Sequence, residues 1–323
     1  MRLAENEYPP PRSAVTGDAA FGQLLEHLES LGRRPTTLST YRSIYRSHLA
    51  WRLDEVPMEK FMRGDIEAID RAMVHKEIAP KTRVNALKLT SEIFSFAKRQ
   101  GWCRRDPCEE VELPEVEPTT DIRFLTEEEL VALLERIDVE EKPFGHTDWA
   151  MFLTAALTGL RQGELLALRW LDVDFAAGRI RVRRNYVRGT WGQPKSRHGV
   201  RSVPMATQVE AALKLHFERS AHRGPDDLVF GHPVTGEVLG FSAIGRRFKK
   251  ALRAAGVRQV RFHDLRHTFG TRMAAHRVPM RTLQEWMGHA DIKTTQVYTA
   301  YEPRDEEERE AMASAFSEVK LDP

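Results

Sequence analysis

Cysteine is almost missing from this chain: Cys103 and Cys108 are the only two among 323 residues. A single C-x4-C pair neither completes a zinc site nor frames a disulfide network, so these read as two thiols in a reducing cytoplasm. Long apolar runs are missing too. Nothing approaches the roughly 20 consecutive apolar residues that cross a bilayer. Residues 1–17 carry prolines and mixed charge where a signal peptide would carry an apolar core. Strong net charge is also lacking: a balance of +2 argues, taken alone, against a polyanionic partner. What remains is an ordinary mixture, 41% apolar and 30% charged, in a chain whose length suits two domains better than one core.

The distribution of charge reverses the inference from its sum. Residues 161–201 hold ten Lys/Arg against three Asp/Glu, and residues 244–300 hold twelve against three. The compensating acids are segregated: thirteen against three bases over residues 109–142, and eight against three over residues 301–323. One basic helix face is usually just solvated surface. Two basic blocks with acid moved elsewhere are the footprint of a face that binds a polyanion such as double-stranded DNA.

Residues 18–105 read as a small bundle of four helices. Leu24, Leu25, Leu28 and Leu31 recur at helical spacing and stop at Gly32. Pro35-Thr36-Thr37 opens a second helix, a shorter one lies near residues 65–74, and Pro80-Lys81-Thr82 opens a fourth that ends near Gly101. Residues 106–124 form the linker, with Pro107, Pro114 and Pro118 among five glutamates. Thr126-Glu127-Glu128-Glu129 then makes a capping box at the head of a second domain, residues 125–303. This domain reads as mainly helical with one interruption. Around residues 178–204, Ile180 and Val182 alternate with Arg179, Arg181 and Arg183 between glycine turns, the pattern of a small antiparallel sheet. The fold class is therefore mainly α with a small antiparallel β-sheet (α+β). A short extension, residues 1–17, precedes it, and a tail helix, residues 304–323, follows.

Inside the basic blocks stand residues whose chemistry converges. In-line attack on a phosphodiester puts charge on the nonbridging oxygens, and paired guanidiniums match that geometry with forked donors. Arg161, in Thr158-Gly159-Leu160-Arg161-Gln162-Gly163-Glu164, and Arg266, in His263-Asp264-Leu265-Arg266-His267, are the candidate pair. Tyr298 is a candidate nucleophile, which needs a proton acceptor because a free phenol titrates near 10. His263 is the candidate base, and His289, after Gly288, a donor to phosphate. Lys195, in the basic hairpin, suits protonation of the leaving oxygen, although a plain phosphate contact accounts for it nearly as well. Arg197 and Arg201 read as phosphate contacts. Tyr301 is a rival nucleophile. His263 and His267 also have the i, i+4 spacing of a zinc pair, but Asp264 stands where zinc peptidases place glutamate, and His267 reads more simply as a helix residue supporting the site. No metal or cofactor is required by this chemistry.

Taken together, these blocks resemble those of the tyrosine recombinases, the phage-type integrases. The resemblance rests on Thr158 to Glu164, Phe262-His263-Asp264-Leu265-Arg266-His267-Thr268-Phe269, Met287-Gly288-His289 and Tyr298, with Lys195 matching a hairpin lysine. Met287 stands where that family commonly has leucine. The resemblance selects Tyr298 over Tyr301. It implies a site-specific recombinase forming a 3′-phosphotyrosyl intermediate and a Holliday junction, with a helical core-binding domain and a catalytic domain clamped on DNA. It also implies a homotetramer on two DNA sites. The tail, with Ala311, Met312, Ala315, Phe316 and Val319 at amphipathic spacing, would dock on a neighbour, and accessory or host factors would set direction. Integration and excision of a phage or other mobile element is the leading expectation. Chromosome-dimer resolution by the same chemistry is the near alternative. A type IB topoisomerase or a non-catalytic DNA-binding regulator is more remote.

Overall fold

The computed structural model describes residues 15–117, 122–192 and 200–301. The chain divides into two compact units, residues 1–118 and 119–323.

The first unit is helical. α1 (Gly17–Ser30) carries Leu24, Leu25 and Leu28 into the core, and the chain turns at Gly32. α2 (Pro35–Ile44) starts with proline at its first position, where a missing N–H costs nothing. A π-helical turn over Tyr45–Leu49 carries it directly into α3 (Ala50–Leu53). The wider turn places Tyr45, stacked 4.0 Å from Phe21, and Leu49 in the core. α4 (Arg63–His75) and the twenty-residue α5 (Pro80–Arg99) complete the bundle, with Ile66, Ile69, Leu87, Ile93 and Phe94 sealed between helices.

In the second unit α6 (Glu127–Glu135) is capped as its sequence suggests. Glu129 N donates to Thr126 Oγ1 at 3.2 Å, and Thr126 N donates back to Glu129 Oε2 at 2.8 Å. α7 (Gly145–Thr158) is apolar on nearly every side because it is the central helix, packed by the later helices Thr207–Arg219 and Asp264–Ala275. α8 (Gln162–Leu166) follows after three residues. The antiparallel sheet has the order β1 (Val173–Asp174), β2 (Arg179–Val182), β5 (Arg201–Pro204), with Ile180 paired to Val203. Between β2 and β5 in sequence, β3 (Asn185–Val187) and β4 (Thr190–Gly192) form a separate hairpin. α9 (Thr207–Arg219) and α10 (Phe241–Ala254) cover the core. At its centre Phe152, Phe248 and Phe262 meet edge to face at 5.1–5.7 Å, a geometry that adds about 1 kcal/mol per pair to simple burial. α11 (Asp264–Ala275), α12 (Met280–Met287) and the single turn α13 (Lys293–Gln296) close the unit.

Candidate active site

The site is assembled on the C-terminal end of α12. A helix leaves its last carbonyls without intrahelical partners and carries partial negative charge there. Three arginines from three separate elements take three successive carbonyls. Arg201 Nε, from β5, donates to Trp286 O at 2.6 Å. Arg266 Nη2, from α11, donates to Met287 O at 2.5 Å. Arg161 Nη2, at the head of α8, donates to Gly288 O at 3.0 Å. Gly288 makes the turn possible with φ of 63°, and a Cβ there would stand 2.9 Å from Arg201 Nη1.

Three cations this close need an anion, and Glu164 supplies it. Its Oε1 accepts from Arg161 Nη1 at 2.9 Å and Arg201 Nη1 at 3.0 Å, while Oε2 accepts from Arg201 Nη2 at 2.8 Å and the Arg161 backbone N–H at 2.9 Å. Burial would raise this carboxyl, but Arg201 foremost, with Arg161 and Arg266, holds it down at about 2. Arg266 is sealed, with Nη1 donating to Gly159 O at 2.5 Å. Burial, then repulsion from Arg161, pushes it down to about 9, so it stays charged at neutral pH. Arg161 is the accessible member of the pair, its side chain 38% exposed.

Tyr298 lies between α13 and a 3₁₀ turn (Thr299–Tyr301), 1% exposed. Its ring rests on Gly270 of α11, where a Cβ would fall 2.4 Å from Tyr298 Cζ. Its hydroxyl is 2.9 Å from His267 Nδ1. Burial raises the phenol to about 12, against the opposing pull of Arg266 and Arg161. His289 is buried, with Nδ1 2.9 Å from Thr295 Oγ1. Burial and then the charge of Arg266 push its ring down to about 3. His263, at the head of α11, is exposed on one side and crowded on the other. Desolvation, then His267 and Arg266, lower it to about 4. All three imidazoles are neutral at physiological pH, since His267 is lowered as well, chiefly by burial.

Five of the expected residues therefore meet: Arg161 and Arg266 on adjacent carbonyls, His289 following them in the chain, Tyr298 on α11, and His263 one turn before His267. Two expectations change. Arg201 is no surface phosphate contact. Its side chain is 6% exposed and clamps Glu164 to the Trp286 carbonyl, because a strand arginine facing a buried carboxylate is worth more there than in solvent. His263 makes no hydrogen bond to Tyr298; that contact belongs to His267, which sequence reasoning had given only a supporting place. Glu164 was missed as well, although an acid three residues after Arg161 was its visible signal. Lys195, Arg197 and the tail helix lie outside the described residues. Tyr301 packs edge-on against Phe124 at 5.2 Å. The His263 and His267 rings stand perpendicular, 5.3 Å apart, and among the described residues no group of three or more His, Cys, Asp or Glu could hold a metal ion. Among the described residues no helix is long and apolar enough to cross a membrane.

Comparison with known proteins gives the family and the fold. The phage integrase family matches residues 123–304. A XerC-like tyrosine recombinase of Caldanaerobacter subterraneus subsp. tengcongensis is 28% identical, covering 91% of this chain and 81% of that protein. Tyrosine recombinase XerC of Chromobacterium violaceum is also 28% identical, over 88% and 90%. Among solved structures, the Tn1549 transposon integrase in complex with circular-intermediate DNA has a TM-score of 0.72 at 21% identity, covering 92% of this chain and 99% of that one. A lambda integrase tetramer bound to a Holliday junction has 0.69 at 19%, covering 92% and 81%; both likenesses concern the fold. With the family matched over more than half its length, the chain belongs to the phage integrase family and is a tyrosine site-specific recombinase.

Proposed function

We propose that this recombinase cuts and rejoins double-stranded DNA through a 3′-phosphotyrosine on Tyr298, and that it integrates and excises a phage or other mobile element. The observation that carries the chemistry is the placement of Arg161 and Arg266 on neighbouring carbonyls, with Tyr298 buried within reach of both charges. Each guanidinium has five N–H groups and spends two of them on the oxygens named above. Three remain for the nonbridging oxygens of a phosphate. Because the carbonyls and Glu164 fix them in advance, no reorganisation is needed as charge develops. In the tautomer where His289 Nδ1 accepts the Thr295 hydroxyl, Nε2 donates to the same phosphate. Tyr298 attacks phosphorus, and the departing 5′-oxygen takes its proton from Lys195. Arg197 contacts the backbone nearby.

Exchange between two DNA sites calls for four protomers, two per site, and we take the assembly to be a homotetramer with the tail helix docked on a neighbour. The lambda integrase tetramer on a Holliday junction supports that reading, as the segregated basic blocks support DNA. Residues 18–105 would serve as the core-binding domain and residues 125–303 as the catalytic one, joined by residues 106–124. Relatives named XerC favour a second reading, chromosome-dimer resolution by the same steps. Mapping covalent adducts on genomic DNA separates the two. Adducts at the junctions of an inserted element support integration, and adducts at one fixed chromosomal site support resolution. The chemistry itself is tested with Tyr298→Phe on a nicked suicide substrate, where salt-dependent binding should persist and the adduct should vanish.

A further inference from the structure

The nucleophile of a strand-transfer reaction must lose a proton, and here its hydroxyl touches one group. We propose that His267, through Nδ1, is the proton acceptor for Tyr298. The inference rests on Tyr298 being the nucleophile.

Among the described residues the 2.9 Å contact with His267 is the only hydrogen bond of the Tyr298 hydroxyl. In the tautomer that carries the imidazole proton on Nε2, Nδ1 accepts and the hydroxyl donates. The mounting is rigid. One helix, α11, presents Arg266 to the phosphate site, His267 to the phenolic oxygen and Gly270 to the face of the phenol ring. Thr271 Oγ1 donates to the carbonyl of His267 at 3.0 Å, on the same helix. Charge stabiliser and proton acceptor are therefore consecutive residues with a fixed separation. His263, the acceptor suggested by the residue pattern, stands a full turn away and meets His267 edge to face.

The Tyr298 O–H bond breaks and its proton passes to His267 Nδ1, while the phenolic oxygen forms its bond to phosphorus. The bond from phosphorus to the 5′-oxygen breaks, and that oxygen takes a proton from the general acid. In rejoining, the 5′-hydroxyl returns its proton to the general acid's conjugate base as its oxygen attacks phosphorus, the bond from phosphorus to the phenolic oxygen breaks, and the released phenolate recovers its proton from His267. Burial raises Tyr298 and lowers His267, so no free tyrosinate accumulates and the proton moves only as phosphorus takes up the charge. The groups facing His267 are Asp264, which favours its charged form, and Arg261, Arg266 and His263, which oppose it.

The test uses the full chain, single-turnover cleavage of a nicked DNA duplex, and His267→Asn beside His267→Ala. The asparagine amide oxygen can accept the Tyr298 hydrogen bond near the position of Nδ1 but cannot take up a proton. Both variants should bind the duplex with the parent's salt dependence and cleave it about 10²–10⁴-fold more slowly. The rise in rate with pH that His267 imposes below neutrality should disappear. Cleavage should stay slow on a 5′-phosphorothiolate duplex, whose thiolate leaves without a proton. Parental rates in His267→Asn with slow cleavage only in His267→Ala would reduce His267 to a holder of the ring. Restoration by the phosphorothiolate would move it to the leaving-group side. Either result overturns the proposal. Adduct formation by Tyr298→Phe is a separate outcome, and it removes the nucleophile assignment itself.

Discussion

Glu164 and Arg201 meet through two parallel hydrogen bonds, Nη1 to Oε1 at 3.0 Å and Nη2 to Oε2 at 2.8 Å, with both side chains closed off from water. Neither is expected to touch DNA, yet together they hold Arg161 and the end of α12. Glu164→Gln keeps the shape and removes the charge, turning one oxygen acceptor into a donor aimed at donors. Breaking a buried pair from one side typically costs about 3–5 kcal/mol. Calorimetry should show a melting temperature several degrees lower, and cleavage should fall with it as Arg161 loses its anchor. Parental stability in this variant would mean the carboxylate was not countering the arginines.

Arg266→Lys tests the fork itself. A single ammonium cannot serve Gly159 O and Met287 O together and still face a phosphate from a fixed direction. Cleavage of the suicide substrate should drop by about 10²–10³, with DNA affinity changing far less. A variant that cleaves within a few-fold of the parent would show that charge suffices without the paired donors.

Much of this was legible in the chain, and the failures share a cause. The cap at Thr126, the end of α7 at Gly159 and the helix carrying Arg266 follow from local rules, because caps and turns are decided by neighbours in sequence. The π turn at Tyr45 was not legible, since it answers to Phe21 across the bundle. Arg201 looked like surface because its block is basic; its partner Glu164 lies 37 residues away. His267 looked like a supporting residue because nothing local announces Tyr298, 31 residues on. Motif spacing identifies which groups take part. Only packing decides which of them touch.

Acid should unfold this protein earlier than its carboxylates alone would require. His289 is held at about 3 in the fold against roughly 6.5 in the unfolded chain. Its contribution is therefore full above pH 6.5 and falls by about 1.4 kcal/mol per pH unit below it, because the unfolded chain binds the proton first. By about pH 4.5 the loss approaches roughly 3 kcal/mol. Glu164, held at about 2, adds its own loss only below about 4.5. Urea midpoints measured at neutral pH and at about pH 5 should differ clearly in the parent and less in His289→Asn. Coincident pH dependences would rule out His289 as a source of the acid sensitivity.

Gly270→Ala separates position from chemistry most cleanly, because no reacting group is removed. Alanine is the better helix former by about 1 kcal/mol, and α11 would gain from it were the space free. The new methyl would lie 2.4 Å from Tyr298 Cζ and 2.6 Å from Cε1, and the ring has little room to retreat among Phe269, Leu283 and Met287. Overpacking of this kind typically costs about 1–3 kcal/mol, so net stability should fall slightly despite the helix gain. Displacing a nucleophile by about 1 Å typically costs about 10²-fold in rate. The variant should bind DNA as the parent does and form the covalent adduct at least about tenfold more slowly, since the phenol would leave both His267 and the line of attack. Normal adduct formation would show that Tyr298 reaches the phosphate from some other seat, and that its place on α11 is only where it rests.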